Sequence, residues 1–171
     1  MTEILLVNVS GPDRPGVTSA VSAVLAQHGA TVLDIGQAVI HDTLNLGLLA
    51  WVPRRGEVGA AMGELRATLR ALGLAVRFEP VTDAAYRHWV GQQGKPRHIV
   101  TLLARAILAE HIARVTAVIS AHGLNIDKIV RLSGRVPLAS TVRDGKACVE
   151  FSVRGDTPDL AQLRSSLLEL S

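Results

Sequence analysis

Two periods of apolar residues alternate along the chain. Ile4 to Val9 is a short, β-branched run with no helical spacing, the pattern of a buried strand. The period then changes: Val17, Val21, Val24 and Leu25 recur at helical spacing, predicting a helix from Val17 to His28 that Gly29 stops. Ala30 to Ile40 alternates around Val32, Leu33, Ile35, Ala38 and Val39 as a long strand, and His41-Asp42-Thr43 reads as a turn. Leu44 to Val52 returns antiparallel with Leu44, Leu46, Leu48 and Ala50 on one face, until Pro53-Arg54-Arg55-Gly56 breaks the pattern. Val58, Met62, Leu65, Leu69 and Leu72 define a second helix closed by Gly73, and Leu74 to Val81 is one more strand.

The order strand, helix, strand, strand, helix, strand predicts an α+β fold of the ferredoxin-like (βαββαβ) type, with two helices on one face of a four-stranded antiparallel sheet. Thr82 to Arg97 is polar and rich in breakers and reads as a linker, with a helical turn at Ala84 to Val90. Beyond it the pattern repeats. His98 to Leu103 matches the opening strand, Ile112 to Gly123 matches the first helix, and Gln27-His28-Gly29 falls on Ala121-His122-Gly123 at an offset of 94, which also brings Val32 to Ile35 near Ile126 to Ile129. A strand from Ile126 to Ser133, a loop from Gly134 to Gly145, a strand from Lys146 to Arg154 and a helix from Pro158 to Leu170 complete the second copy. The domain reading is 1–81, a linker over 82–97, and a second copy over 98–171 that lacks its last strand. Such a gap leaves unpaired backbone groups on the neighbouring strand, so either another chain supplies the pairing or the polypeptide is part of a longer one, and the second is the expectation.

Between the first strand and the first helix lies Ser10-Gly11-Pro12-Asp13-Arg14-Pro15-Gly16. Asp13 is placed to accept from the first-turn amides of the helix, and Pro15 has no amide to leave unpaired. Free amides beyond such a cap, with close backbone access at Gly16, form a site for a carboxylate or phosphate, and a capped structural turn is the other open reading. A Walker phosphate loop would need Lys and Ser or Thr after Gly16, where Val17 and Thr18 stand, so nucleotide hydrolysis is not expected.

Bulk properties remove other classes. A net charge of +3 is mildly basic, but aromatics are only 3% of residues, too few to stack single-stranded nucleic acid, and Arg54-Arg55 is the one adjacent basic pair. No apolar run is long enough to span a bilayer and no basic region precedes the first apolar segment, so neither a membrane nor a nucleic acid is an expected partner and the location is read as cytoplasmic. The single cysteine, Cys148, cannot form an internal disulfide and reads as a structural thiol in a strand. The six histidines lack the His-x-x-x-His spacing of a zinc site, and His28 and His122, next to glycines at equivalent helix ends, read as caps over exposed carbonyls. His41-Asp42 falls in a hairpin turn, where Asp is expected for backbone reasons.

The tandem pair resembles the two N-terminal ACT domains of bacterial phosphoserine phosphatases. Gly11 to Thr18, Gln27 to Gly29, Asp34 to Asp42, His98 to Leu103, Gly123 to Asp127, Arg131 to Arg135 and Glu150 to Gly155 carry the resemblance in order over nearly the whole chain. It implies a haloacid-dehalogenase-type catalytic domain elsewhere in the full protein, with an Asp-x-Asp nucleophile loop and magnesium. The eight Asp residues here include no pair spaced by two, so this chain carries no catalytic motif and no cofactor is expected in it. The resemblance further implies a small amino acid as ligand, with L-serine the pathway product, and a homodimer. Carried over by position, Asp13, Arg14, Gly16, Val17 and Thr18 form the loop half of a site and Asn125 with Asp127 the other half, as one composite site within a chain or across a dimer. A stand-alone amino-acid sensor and a purely structural dimerisation module are the alternatives.

Overall fold

The structure is a computed structural model that describes residues 3–53, 56–135, 146–156 and 159–170. It divides into two compact units, Met1–Gly91 and Gln92–Ser171.

Unit 1 contains β1 (Glu3–Pro12), α1 (Val17–Gln27), β2 (Thr31–Ile40), β3 (Thr43–Val52), α2 (Glu57–Ala71), β4 (Ala75–Val81) and all but the last residue of α3 (Asp83–Gln92). The sheet order is β2-β3-β1-β4, antiparallel throughout, with Val7 opposite both Leu48 and Phe78. Strand alternation sends Leu5, Val7 and Val9 of β1 and Leu44, Leu46, Leu48 and Ala50 of β3 to the face covered by the helices. There they meet Val21, Val24 and Leu25 of α1 and Leu65 and Leu69 of α2, each fully buried apolar side chain contributing about 1.5–3 kcal/mol. Both helices end at glycines with positive φ, Gly29 and Gly73, the left-handed closure that spares a side chain its steric cost. The stretch read as a linker is largely helical, since α3 runs over ten of its residues.

Unit 2 contains β5 (Arg97–Ala104), α4 (Ala109–Ala121), β6 (Asn125–Arg131), β7 (Ala147–Arg154) and α5 (Leu160–Leu168). Its sheet has the order β5-β7-β6, and among the described residues no strand lies on the free side of β5, where β4 flanks β1 in unit 1. Asp159 caps α5 by accepting from the amide of Gln162 at 2.9 Å. The core joins Val115 and Ile119 of α4, Val149, Phe151 and Val153 of β7, and Leu163 of α5. Most of the loop read at 134–145, and the Arg54-Arg55 pair, lie outside the described residues.

The two copies differ in register at their first strand. An offset of 94 would point Ile99 and Leu103 inward, as Leu5 and Val9 are, but Val100 and Leu102 pack on the core while Ile99 and Leu103 are 58% and 66% exposed. The same offset holds in the helices, where Val115 and Ile119 take the places of Val21 and Leu25. β5 is therefore shifted by one residue against the helix that follows it, and a one-residue slip reverses every side chain of a strand. The second strands keep their correspondence: β2 has an extra residue, Leu33, between Val32 and Asp34, and β6 has Asp127 between Ile126 and Lys128.

The histidine caps are corrected. The backbone amides of His28 and His122 do close their helices, but neither ring turns back to helix carbonyls. His28 reaches Glu57 and Glu64 of α2, and His122 reaches Ser166 of α5. These contacts across the helix layer place each imidazole against polar atoms of its neighbour.

Candidate functional site

The loop after β1 is shaped by its glycines and by one backbone bond. β1 continues past Val9, with Gly11 opposite Leu44 and Pro12 opposite Thr43, so the loop is shorter than the sequence predicts. Pro12 is tolerated because it stands at the strand's last position. The amide of Asp13 then donates to the carbonyl of Asp42 at 2.9 Å, tying the loop to the β2–β3 turn. Asp13 is consequently not the helix cap. The N-cap is Gly16, at φ 91°, and it offers no side chain to the first turn. The first α1 bond runs from the amide of Ala20 to the carbonyl of Gly16 at 2.9 Å, which leaves the amides of Val17, Thr18 and Ser19 without an intrahelical acceptor.

The remaining side chains set the surroundings of those amides. Val17 is buried and anchors the helix start in the core. Thr18 is half-buried, and its hydroxyl donates to Oε1 of Gln37 on β2 at 2.6 Å, fixing the first turn of α1 against an edge strand. Asp13, Arg14 and Gly16 are exposed, and a Cβ built on Gly16 meets nothing within 4 Å. The result is an open end of a helix with uncapped amides, an exposed carboxylate and an exposed guanidinium on the same loop. That arrangement can receive an anionic group on the amides and a cationic one beside Asp13. Gln37 is a member of this cluster that the sequence did not single out; its position on the strand facing the first turn was the available signal.

Asn125 and Asp127 stand together in unit 2. Nδ2 of Asn125 donates to Oδ1 of Asp127 at 3.3 Å, and Oδ2 of Asp127 accepts from Arg154. Arg154, directly opposite Asn125 in the β6–β7 register, completes the cluster and was missed because sequence spacing does not pair strands. The loop before α4 is unlike the first one: its N-cap, Leu108, has extended backbone angles, and its amide donates to Nδ1 of His111 at 3.3 Å.

Cys148 is a half-buried free thiol opposite Leu103. Among the described residues no group of three or more His, Cys, Asp or Glu side chains is disposed to hold a metal ion, and no helix is long and apolar enough to cross a membrane.

With a helix-covered antiparallel sheet and a glycine-capped strand-to-helix loop in place, the chain contains an ACT domain: the profile of that family matches residues 3–79, the sheet and helices of unit 1. It is similar to phosphoserine phosphatase SerB2 of Mycobacterium tuberculosis, at 36% identity over 130 residues, covering 75% of this chain and 31% of that protein. It is also similar to a phosphoserine phosphatase of Streptomyces coelicolor, at 33% identity over 154 residues, covering 88% of this chain and 33% of that one. The chain thus spans about a third of the length of these curated relatives. Among solved structures, an unknown protein from Galdieria sulphuraria aligns with a TM-score of 0.75 at 18% identity, covering 99% of this chain and 92% of its own, a likeness of fold.

Proposed function

We propose that this chain is the regulatory amino-acid-binding part of a phosphoserine phosphatase, sensing L-serine and pairing as a homodimer. The observation that carries the reading is the uncapped start of α1, where the amides of Val17, Thr18 and Ser19 have no intrahelical acceptor and the loop leading into them carries the exposed carboxylate of Asp13. An amino acid presents both matching charges: its carboxylate suits the helix amides and its ammonium suits Asp13. The serine hydroxyl adds a group that can donate to or accept from the Thr18–Gln37 pair. Similarity to two phosphoserine phosphatases supports serine, the product of that reaction, as the ligand over other small amino acids. Binding would regulate by favouring one arrangement of paired subunits over another, which requires differential affinity for the two.

Calorimetric titration with L-serine, with glycine, L-alanine and phosphoserine as comparators, tests the reading. Saturable binding selective for serine and weakened roughly tenfold or more in Asp13→Ala is the expected result, a tenfold loss being about 1.4 kcal/mol. Absence of heat with every amino acid, from folded protein, would leave a dimerisation module.

A further inference from the structure

The ring of His28 lies between two carboxylates of the neighbouring helix. Its Nδ1 is 2.8 Å from Oε2 of Glu57 and its Nε2 is 3.0 Å from Oε2 of Glu64, with the imidazole side chain only 12% exposed. A carboxylate accepts and does not donate, so both contacts are hydrogen bonds only when both ring nitrogens carry hydrogen, which is the imidazolium. Neutral imidazole has one lone pair that must then face a carboxylate oxygen. Glu57, in the first turn of α2, and Glu64, farther along the same helix, are the charged groups this ring meets among the described residues. Arg66 of α2 is directed elsewhere, its guanidinium stacked 5.3 Å above the ring of Phe78.

We propose that His28, Glu57 and Glu64 form a proton-operated clamp that holds the C-terminal end of α1 to α2 in unit 1 and releases it when His28 loses its proton. Unit 2 contains the built-in comparison. At the repeat-related position, Nε2 of His122 meets Oγ of Ser166 at 3.4 Å, and a hydroxyl can donate or accept, so that contact survives in either protonation state. The clamp is thus a property of one copy of the repeat, created by acidic residues on α2 that α5 does not offer to His122.

The direction of the effect follows from linkage. Hydrogen bonding to Glu57, then to Glu64, raises His28 above its ordinary value of 6.5. A group raised in the folded state contributes its stabilisation in full below the unfolded value and loses it as pH rises through the folded one. The clamp is closed below the ordinary value of 6.5 and opens as pH rises through the raised one.

Imidazole nitrogen and carbon NMR of the full chain, with amide hydrogen exchange along α1 and α2 corrected for intrinsic rates, tests this between about pH 5 and about pH 9. The expected result is a His28 titration above 6.5, with protection at the end of α1 falling over the same interval. In His28→Gln that pH dependence disappears, and in His122→Gln it is retained. A His28 titration at or below 6.5, or a pH profile that persists in His28→Gln, overturns the proposal. Should His28→Gln not fold, Glu64→Gln decides: a titration moved down toward the ordinary value supports the clamp, and an unmoved one refutes it.

Discussion

Arg154, the last residue of β7, donates from Nη2 to the carboxylate of Asp127, the extra residue in the bulge of β6. The two side chains are 13% and 21% exposed, so the pair is well shielded from solvent. At the matching places of the first copy stand Trp51 and Leu33, since Trp51 lies opposite Thr31 as Arg154 lies opposite Asn125. An ion pair in one repeat thus occupies positions held by apolar side chains in the other.

Removing one partner strands the other. Asp127→Ala leaves a mostly buried guanidinium without its counter-charge and is expected to destabilise unit 2 by roughly 1–3 kcal/mol. Asp127→Ala combined with Arg154→Leu is expected to be less destabilising than the sum of the single changes, as a double-mutant cycle would show. Both tryptophans and the tyrosine lie in unit 1, so the unfolding of unit 2 has to be followed by amide exchange. Additive losses would mean that the two groups do not stabilise one another.

Gly11 and Gly16 both have positive φ, 148° and 91°, but their surroundings differ. A Cβ on Gly11 would come within 2.8 Å of Cδ2 and 3.3 Å of Cα of Leu74, a core residue, whereas one on Gly16 meets open space. Gly11→Ala is therefore expected to cost about 2–4 kcal/mol, from backbone strain plus overpacking, and Gly16→Ala about 1–2 kcal/mol from strain alone. Urea denaturation followed by tryptophan fluorescence measures both, and equal losses would refute the steric assignment.

His41 adopts φ 53° in the tight turn between β2 and β3. It is almost fully exposed and its ring is 3.8 Å from the equally exposed carboxylate of Asp42, a contact worth little in solvent. His41→Gly relieves a left-handed conformation that a side chain disfavours, against the extra freedom glycine gains in the unfolded chain. A net gain of about 0.5 kcal/mol in the stability of unit 1 is expected, read from the same fluorescence transition; a loss would show that the histidine ring makes a stabilising contact in the turn.

The elements of unit 1 from β1 to β4 were legible because each rests on a local pattern, whereas the polar, breaker-containing stretch that forms α3 read as a linker. Val17, Val21, Val24 and Leu25 specify one helix face, and Leu44 to Ala50 specify one sheet face. Three features were not. The register of β5 was hidden because His98-Ile99-Val100-Thr101-Leu102-Leu103 carries apolar residues on both faces, so the alternation does not choose between them. The cap at α1 was misassigned because Asp13 has the right side chain in the wrong place: its own amide is drawn to Asp42, and a left-handed glycine starts the helix. The reach of His28 to Glu57 and Glu64, like the pairing of Asp127 with Arg154, joins residues far apart in sequence, which only the packed helix layer and the sheet register bring together.

The bulges at Leu33 and Asp127 act as detents. A regular strand can slide past its neighbour by two residues and recover equivalent pairing, but β2 and β6 each contain one residue that has no opposite number on β3 or β7. Sliding either strand would carry that unmatched residue to a place where the neighbouring backbone expects a partner. Each copy of the repeat therefore has a mechanical stop on its outer strand, and the alignment of Thr18 with Gln37 in unit 1 inherits its accuracy from that stop.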